Sequence, residues 1–165
     1  APSLAYMDRA WRDAEEKGFA ASPIVEMLVP SVVDQTLAPA GAHVASLFCQ
    51  QFRPDADWDE LKPRAVEAIF DVVQSYCPNF RRALLGYRAL SPLDLEREFG
   101  LVGGDIFHGQ LSLDQLFSMR PLMGYAKYRG PLKGLYHCGS GAHPGGGVTG
   151  APGHNAAREI VRDLR

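Results

Sequence analysis

The chain has 165 residues, of which 46% are hydrophobic, and its 17 basic and 19 acidic side chains leave a formal net charge of −2. This charge argues against a nucleic-acid partner, because phosphate neutralisation needs clustered positive charge. The composition excludes a disordered segment, and no apolar run reaches the ~20 residues of an integral membrane helix. Three widely spaced cysteines, Cys49, Cys77 and Cys138, predict neither a disulfide framework nor a metal site. We therefore expect one compact unit in the cytoplasm.

The first predicted element is a helix at the start of the chain. Ser3 is a typical N-cap residue, and Gly18 is a typical stop. Apolar residues at helical spacing predict its buried face, namely Leu4, Met7, Trp11 and Ala14. The chain opens on Ala1 rather than on a methionine, which we interpret as a cut inside a larger protein.

Three short apolar segments follow, and each of them predicts a strand. They are residues 24–29, residues 32–37 and residues 43–52. A turn at Pro39-Ala40-Gly41 separates the second from the third. Strands joined by turns of this kind indicate antiparallel pairing.

The strongest helical pattern begins at Asp57 or Asp59 and ends near residue 76. Pro63 is tolerated best in the first turn of a helix, which favours Asp59 as the N-cap. The apolar residues that predict the buried face of this helix are Leu61, Ala65, Ile69, Val72 and Tyr76.

The second half of the chain has shorter predicted elements. In chain order they are a strand over residues 84–90, a helix opened by Ser91-Pro92 and ended by Gly100, a glycine-flanked loop over residues 103–109, helical turns over residues 112–117, a strand over residues 134–138 and a helix over residues 156–164. This order predicts an α+β fold, with a largely antiparallel or mixed sheet and flanking helices, rather than repeated βαβ units.

Glycine is concentrated near the end of the chain, where residues 139–153 hold seven of the 17 glycines. A short apolar strand leads into this segment and a helix follows it, so free backbone N–H groups gather at a helix N-terminus. Such a site suits an anionic or carbonyl-bearing ligand. No Gly-Lys-Ser/Thr follows the glycines, and no strand follows to complete a Rossmann unit. A glycine-rich turn without a ligand is the remaining alternative.

The same segment carries a family resemblance. Residues 135–148, Leu-Tyr-His-Cys-Gly-Ser-Gly-Ala-His-Pro-Gly-Gly-Gly-Val, strongly resemble the C-terminal flavin-contacting motif of phytoene-dehydrogenase-related FAD oxidoreductases. Residues 39–46, residues 104–109 and the pair Arg120-Pro121 resemble other segments of that family. Members of the family begin with a GxGxxG unit that holds the ADP half of FAD, and this chain has no such unit.

The resemblance implies the C-terminal part of an amine-oxidase-like or phytoene-desaturase-like fold. Residues 1–130 are then the substrate-side portion, and residues 131–165 form a strand, glycine-rich loop and helix that close the FAD site. The residues that it implies for cofactor binding are Gly139, Ser140, Gly141, Gly146, Gly147, Val148, Thr149 and Gly150. The first three face the ribityl and pyrophosphate groups. The last four offer backbone N–H groups to flavin N1 and O2, where reduced flavin carries negative charge.

Candidate catalytic residues are few. His108 and His143 are weak candidates, the first for the substrate side of the flavin and the second for acid–base chemistry or for shaping the loop. Hydride transfer to a flavin requires little beyond positioning, because the cofactor carries the chemistry. Arg120 is either a buried ion-pair partner or a residue that approaches the cofactor, and the sequence leaves both open.

The function implied by the resemblance is hydrogen transfer from a small apolar or amine-like substrate to FAD. The expected partner is an N-terminal FAD-binding domain, without which this chain is inactive and does not hold FAD tightly. Apolar surface left by the missing domain predicts a homo-oligomer, and a lipid-like substrate would add peripheral membrane association. The alternative is a stand-alone binding or oligomerisation module that keeps the fold without redox activity.

Overall fold

The computed structural model describes all 165 residues, and the chain divides into two compact units, Ala1–Gly104 and Asp105–Arg165. They contain five α-helices and one two-stranded antiparallel sheet, so the predicted mixed α+β class is confirmed. No helix combines the length and hydropathy that a bilayer crossing requires. The division at residue 130 that the family resemblance implies is one of function, and it stays a prediction.

Helix α1, Leu4–Lys17, begins and ends where the sequence predicts. The Ser3 side chain accepts a hydrogen bond from the Tyr6 N–H at 3.1 Å. Gly18 ends the helix in the left-handed region at a φ of 88°. Both signals are local to the helix ends, so they are readable from the sequence.

The predicted buried face of α1 is largely wrong. Leu4, Met7 and Trp11 leave 83%, 43% and 54% of their surface exposed. The buried residues are Ala10 and Ala14, and Ala10 packs with residues of the following strand. Small side chains on this face let the helix approach that strand closely, which larger apolar residues would prevent.

The sheet pairs β1, Phe19–Leu28, with β2, Ser46–Phe52, as the sequence predicts for antiparallel strands. The pairing runs from Leu28 opposite Ser46 to Phe19 opposite Phe52, with an irregularity between Phe19 and Ile24. Strand β1 therefore starts earlier than predicted, and β2 starts later.

The strand predicted over residues 32–37 is wrong. This segment forms two short 3-10 turns, Pro30–Val32 and Gln35–Leu37. The Asp34 side chain accepts the Thr36 N–H at 3.0 Å, and the Pro30 carbonyl accepts the Val33 N–H at 3.0 Å. These local hydrogen bonds compete with a strand ladder and prevail over β propensity.

Helix α2, Trp58–Tyr76, begins slightly earlier than favoured. Its N-cap is Asp57, which accepts the Glu60 N–H at 3.3 Å, so the choice of Asp59 is wrong. Asp59 is instead paired with Arg97 at 2.8 Å. Pro63 lies exposed in the second turn, where its ring removes one backbone hydrogen bond of the helix.

The buried face of α2 is also displaced from the prediction. The buried residues are Trp58, Ala65, Val66, Phe70 and Val73, so of the predicted stripe only Ala65 lies in this set. The observed face is rotated by about one residue around the helix axis. Apolar residues lie along both the predicted and the observed face of α2, so helical spacing is compatible with either face. Packing against β1 selects the observed one.

Trp58 anchors the core of the first unit. It leaves only 2% of its surface exposed, and it packs with Phe19 and Ala65. Its indole N–H donates a 2.7 Å hydrogen bond to the Arg53 carbonyl, and its ring lies 5.8 Å from that of Phe52. Trp58 therefore packs α2 against the sheet with a large buried surface and a satisfied polar atom.

The remainder of the first unit has two short helices, α3 over Phe80–Ala83 and α4 over Pro92–Phe99. The predicted α4 is confirmed, with a Ser91–Asp94 capping box and Gly100 as its stop. The strand predicted over residues 84–90 is wrong, because this segment pairs with no other strand. Its Tyr87 ring instead packs edge-on against Phe70 at 5.0 Å.

The second unit has one α-helix, α5, over Ala151–Asp163. This helix begins five residues earlier than predicted. The strand predicted over residues 134–138 is wrong, since the segment forms a single isolated bridge between Tyr136 and Arg129. The helical turns predicted near residues 112–117 are present as 3-10 turns, Leu113–Gln115 and Phe117–Met119.

The two tryptophans provide a test of this packing. Trp58→Ala should destabilise the chain by about 3–5 kcal/mol, because it leaves a cavity in the core. Trp11→Ala should change stability by only about 0.5 kcal/mol, because that ring is largely exposed. Urea denaturation followed by circular dichroism measures both. Equal losses of unfolding free energy in the two variants would contradict the burial of Trp58 and the exposure of Trp11.

Candidate functional site

The candidate site is the glycine loop, defined as residues 139–150, which leads directly into α5. Its glycines serve different purposes. Gly145 has a φ of 97°, and a Cβ there would lie 3.0 Å from Leu111 Cδ1, so this glycine allows the loop to pack on its own unit. Gly147 has a φ of 103°, and the only atom close to where its Cβ would lie is Thr149 Cγ2, at 3.8 Å. Gly147 therefore leaves backbone open at the surface of the loop.

The glycine loop carries backbone donors without acceptors. None of the predicted cofactor-binding residues donates its N–H to another group of the chain. They are Gly139, Ser140, Gly141, Gly146, Gly147, Val148, Thr149 and Gly150. The N-cap of α5 is Gly150, which offers no side-chain cap, so the positive end of the helix dipole is open at the same place. The loop suits a ligand with anionic or carbonyl oxygens.

Val148 marks backbone strain in this loop. It has a φ of 57°, and its side chain is fully exposed. A β-branched residue rarely occupies the left-handed region, and the cost is on the order of 1–3 kcal/mol. Strain of this kind clusters at ligand-binding positions.

Arg120 lies buried beneath the loop, with 2% of its surface exposed. Its guanidinium donates to the Ser140 carbonyl from Nε at 3.0 Å and from Nη2 at 2.8 Å. It also donates to the carbonyls of His108 at 3.2 Å and Gln110 at 3.5 Å. Within this chain Arg120 takes part in no ion pair, so its hydrogen bonds run to main-chain carbonyls rather than to a carboxylate.

A cleft of about 280 Å³ opens beside these contacts. It is lined by His108, Pro121, His137, Cys138, Gly139, Ser140, Gly141 and Ala142. The structure thus brings His108 together with the first part of the glycine loop, although some 30 residues separate them in the sequence. The weak candidate His108 therefore stands beside the predicted cofactor-binding residues.

His143 is engaged in contacts within its own unit. Its Nδ1 accepts the Phe117 N–H at 3.2 Å, and the two rings lie 5.0 Å apart. Its backbone carbonyl accepts the Tyr128 hydroxyl at 2.8 Å. These contacts describe a residue that shapes the loop, while an acid–base role stays a prediction.

Helix α5 is tied to the loop through Tyr128. Asn155 on the helix donates its side-chain amide to the Tyr128 hydroxyl at 2.8 Å, and that hydroxyl donates to His143. Sequence reasoning missed Tyr128 and Asn155. Their separation of 27 residues carries no periodic signal, and a lone tyrosine or asparagine has many structural uses.

The other end of α5 is held by Asp163. Its carboxylate accepts two hydrogen bonds from Arg129 at 2.8 Å and one from the Tyr136 hydroxyl at 2.8 Å. The Arg129 and Tyr136 hydrogen bonds lower the pKa of Asp163 to about 2. The hydrogen bond to Asp163 raises the pKa of Tyr136. This network fixes the helix to the bridge that precedes the glycine loop.

Several known proteins are similar to this chain in sequence, although no protein-family model matches it. Pyridine nucleotide-disulfide oxidoreductase domain-containing protein 2 of Rattus norvegicus is 48% identical over 96% of this chain and 28% of its own length. A limonene dehydrogenase polypeptide of Castellaniella defragrans is 36% identical over 83% of this chain and 26% of its own length. A lycopene-forming phytoene desaturase of Pseudescherichia vulneris is 29% identical over 82% of this chain and 28% of its own length.

The chain belongs to the phytoene-dehydrogenase-related oxidoreductases. The resemblance carried by the glycine-rich motif is thereby confirmed. The chain spans about 28% of the length of the curated relatives that it matches. The relatives therefore indicate the family of this chain, while the activity of a whole protein is a separate proposal.

The Asp163 network predicts a pH dependence. The native pKa of about 2 lies below the ordinary value of 3.8, so the network stabilises the fold above about pH 4 and is lost as the pH falls toward 2. Asp163→Asn should lower the melting temperature at neutral pH, and the difference from the wild type should shrink between about pH 4 and pH 2.

Circular dichroism melts over this pH range measure the difference. Glu16→Gln is the control, because Glu16 is an exposed carboxylate outside the ion pairs. It should melt like the wild type at each pH. A difference between wild type and Asp163→Asn that stays constant with pH would contradict the assignment.

Proposed function

We propose that this chain is the C-terminal part of an FAD-dependent oxidoreductase and closes its flavin site. The observation that carries the proposal is the set of unpaired backbone N–H groups on the glycine loop at the open N-terminus of α5. FAD has oxygens of two matching kinds, on its pyrophosphate and on its pyrimidine ring. Backbone donors on a glycine-rich loop can reach both, so the residues fit this cofactor.

The chemistry of the loop is consistent with a redox role. FAD, when bound, accepts hydrogen from the substrate, and the protein supplies orientation and electrostatics. Reduced flavin carries negative charge at its N1–C2=O edge, and the N-terminus of α5 stabilises negative charge. We assign Gly147, Val148, Thr149 and Gly150 to this edge, and Gly139, Ser140 and Gly141 to the ribityl and pyrophosphate groups.

We infer an apolar substrate rather than an amine-like one. Two relatives are named for phytoene and limonene, which are hydrocarbons without a charged group. Removing hydrogen from such a substrate requires the flavin to be close and water to be excluded. In this proposal His108 lines the cleft beside the flavin, and the substrate-side portion lies within residues 1–130.

The proposal has a direct test in a longer protein that contains this chain and an upstream GxGxxG unit. The purified longer protein should show a stoichiometric flavin absorbance band, and the chain over residues 1–165 should be colourless. The chain lacks the unit that binds the ADP half, so only part of the cofactor contacts remain. A longer protein that neither contains nor takes up FAD would favour the binding-module alternative.

Gly147 provides the residue-level test. Gly147→Val places a branched side chain where the backbone is open, and it adds strain of about 1–3 kcal/mol at a left-handed φ. In the longer protein we expect a folded product with little flavin and little activity. Flavin per protein and the melting temperature are the measurements.

Gly134→Val is the matched control for strain. Gly134 has a φ of 84° with no atom near its Cβ position, and it lies outside the proposed cofactor-binding residues. This variant should lose a similar amount of stability and keep its flavin. If both variants keep normal flavin, the cofactor has been assigned to the wrong loop.

A further inference from the structure

Arg120 has an unusual electrostatic setting. It is a buried cation, and all of its hydrogen bonds run to main-chain carbonyls, those of His108, Gln110 and Ser140. Burial of a charge is costly unless an opposite charge or strong hydrogen bonds compensate for it. Four hydrogen bonds to these carbonyls supply that compensation, so the positive charge acts directly on the peptide groups that carry them.

The His108–Gly109 peptide group lies between the Arg120 guanidinium and the Asp105 carboxylate. The His108 carbonyl accepts from Arg120, and the N–H of the same peptide, on Gly109, donates to the Asp105 carboxylate. A trans peptide holds its C=O and N–H in opposite directions, so the peptide group lies between cation and anion. Hydrogen bonds at both ends of a peptide polarise it and strengthen each other.

The Ser140–Gly141 peptide group contacts Arg120 in the same way, but its N–H has no acceptor in the chain. The Ser140 carbonyl accepts two hydrogen bonds from Arg120, and the N–H of that peptide belongs to Gly141. The Gly141 N–H donates to no group of the chain, and Gly141 is exposed at the cleft. The fixed carbonyl directs this N–H away from the guanidinium.

We propose that Arg120 is a positioning residue that acts through the Ser140–Gly141 peptide and makes the Gly141 N–H the anchor for an anionic oxygen of the cofactor. This inference rests on the proposed function, because it names the cofactor as FAD. The Arg120 fork fixes the direction of the donor, and its charge strengthens that donor. The anionic oxygen is one of the pyrophosphate oxygens, in keeping with the assignment of Gly141 to that part of FAD.

The test uses the longer, flavin-binding protein. It distinguishes the loss of the Gly141 N–H from the addition of a side chain at that residue. Gly141→Pro removes the N–H, and Gly141→Ala keeps it. The Cβ position of Gly141 is open and its φ is not left-handed, so Ala fits without strain. Both variants add a Cβ at the cleft, so the difference between them isolates the N–H, and we expect FAD binding about tenfold weaker in Gly141→Pro than in Gly141→Ala. Equal dissociation constants in the two variants would overturn the proposal.

The coupling to Arg120 is measured by a double-mutant cycle. Arg120→Lys keeps the charge but loses the fork, and we expect it to weaken FAD binding in the wild-type loop. Combined with Gly141→Pro it should add little further loss, because both changes remove the same donor. Additive losses would mean that Arg120 stabilises the unit without acting through Gly141, and they would overturn the proposal.

The reduction potential of the bound flavin should be unchanged in Arg120→Lys, because a pyrophosphate oxygen lies away from the flavin ring. A lower potential would place the oxygen on the flavin ring and contradict the assignment of Gly141. The wild-type flavin content is measured first, because its absence would reject the proposed function itself, while normal FAD affinity in all variants rejects only the role of Arg120.

Discussion

The buried guanidinium of Arg120 is the constraint on which the candidate site depends. It holds three main-chain carbonyls that belong to two separate segments, the loop around His108 and the start of the glycine loop. Carbonyls turned inward toward a cation leave the opposite N–H groups facing outward. The same contacts bring His108 to the cleft beside Gly139. One side chain thus arranges both the donors and the wall of the cleft.

Helix α5 gives this loop its second support. Near its N-terminus the helix is linked to His143 through Asn155 and Tyr128, and at its C-terminus Asp163 holds Arg129 and Tyr136. The helix is therefore fixed at both ends while its N-cap offers no side chain. The dipole of a helix held at both ends can stabilise negative charge on a ligand without rearrangement of the protein.

The first unit shows how small residues and local hydrogen bonds shape a modest core. Ala10 packs against the strand that Trp58 and α2 also cover, while large apolar residues such as Trp11 face outward. Single apolar side chains exposed in this way are common on protein surfaces and do not by themselves mark a partner.

Features that depend on neighbouring residues are readable from the sequence. Caps at Ser3 and Ser91, stops at Gly18 and Gly100, and the glycine loop with its family all follow from residues within a few positions of each other. The buried face of α2, the missing partner of residues 84–90 and the carbonyl partners of Arg120 were decided by the tertiary structure. Each of these features depends on contacts between residues far apart in the chain. Neither periodicity nor residue type predicts which of those residues are in contact.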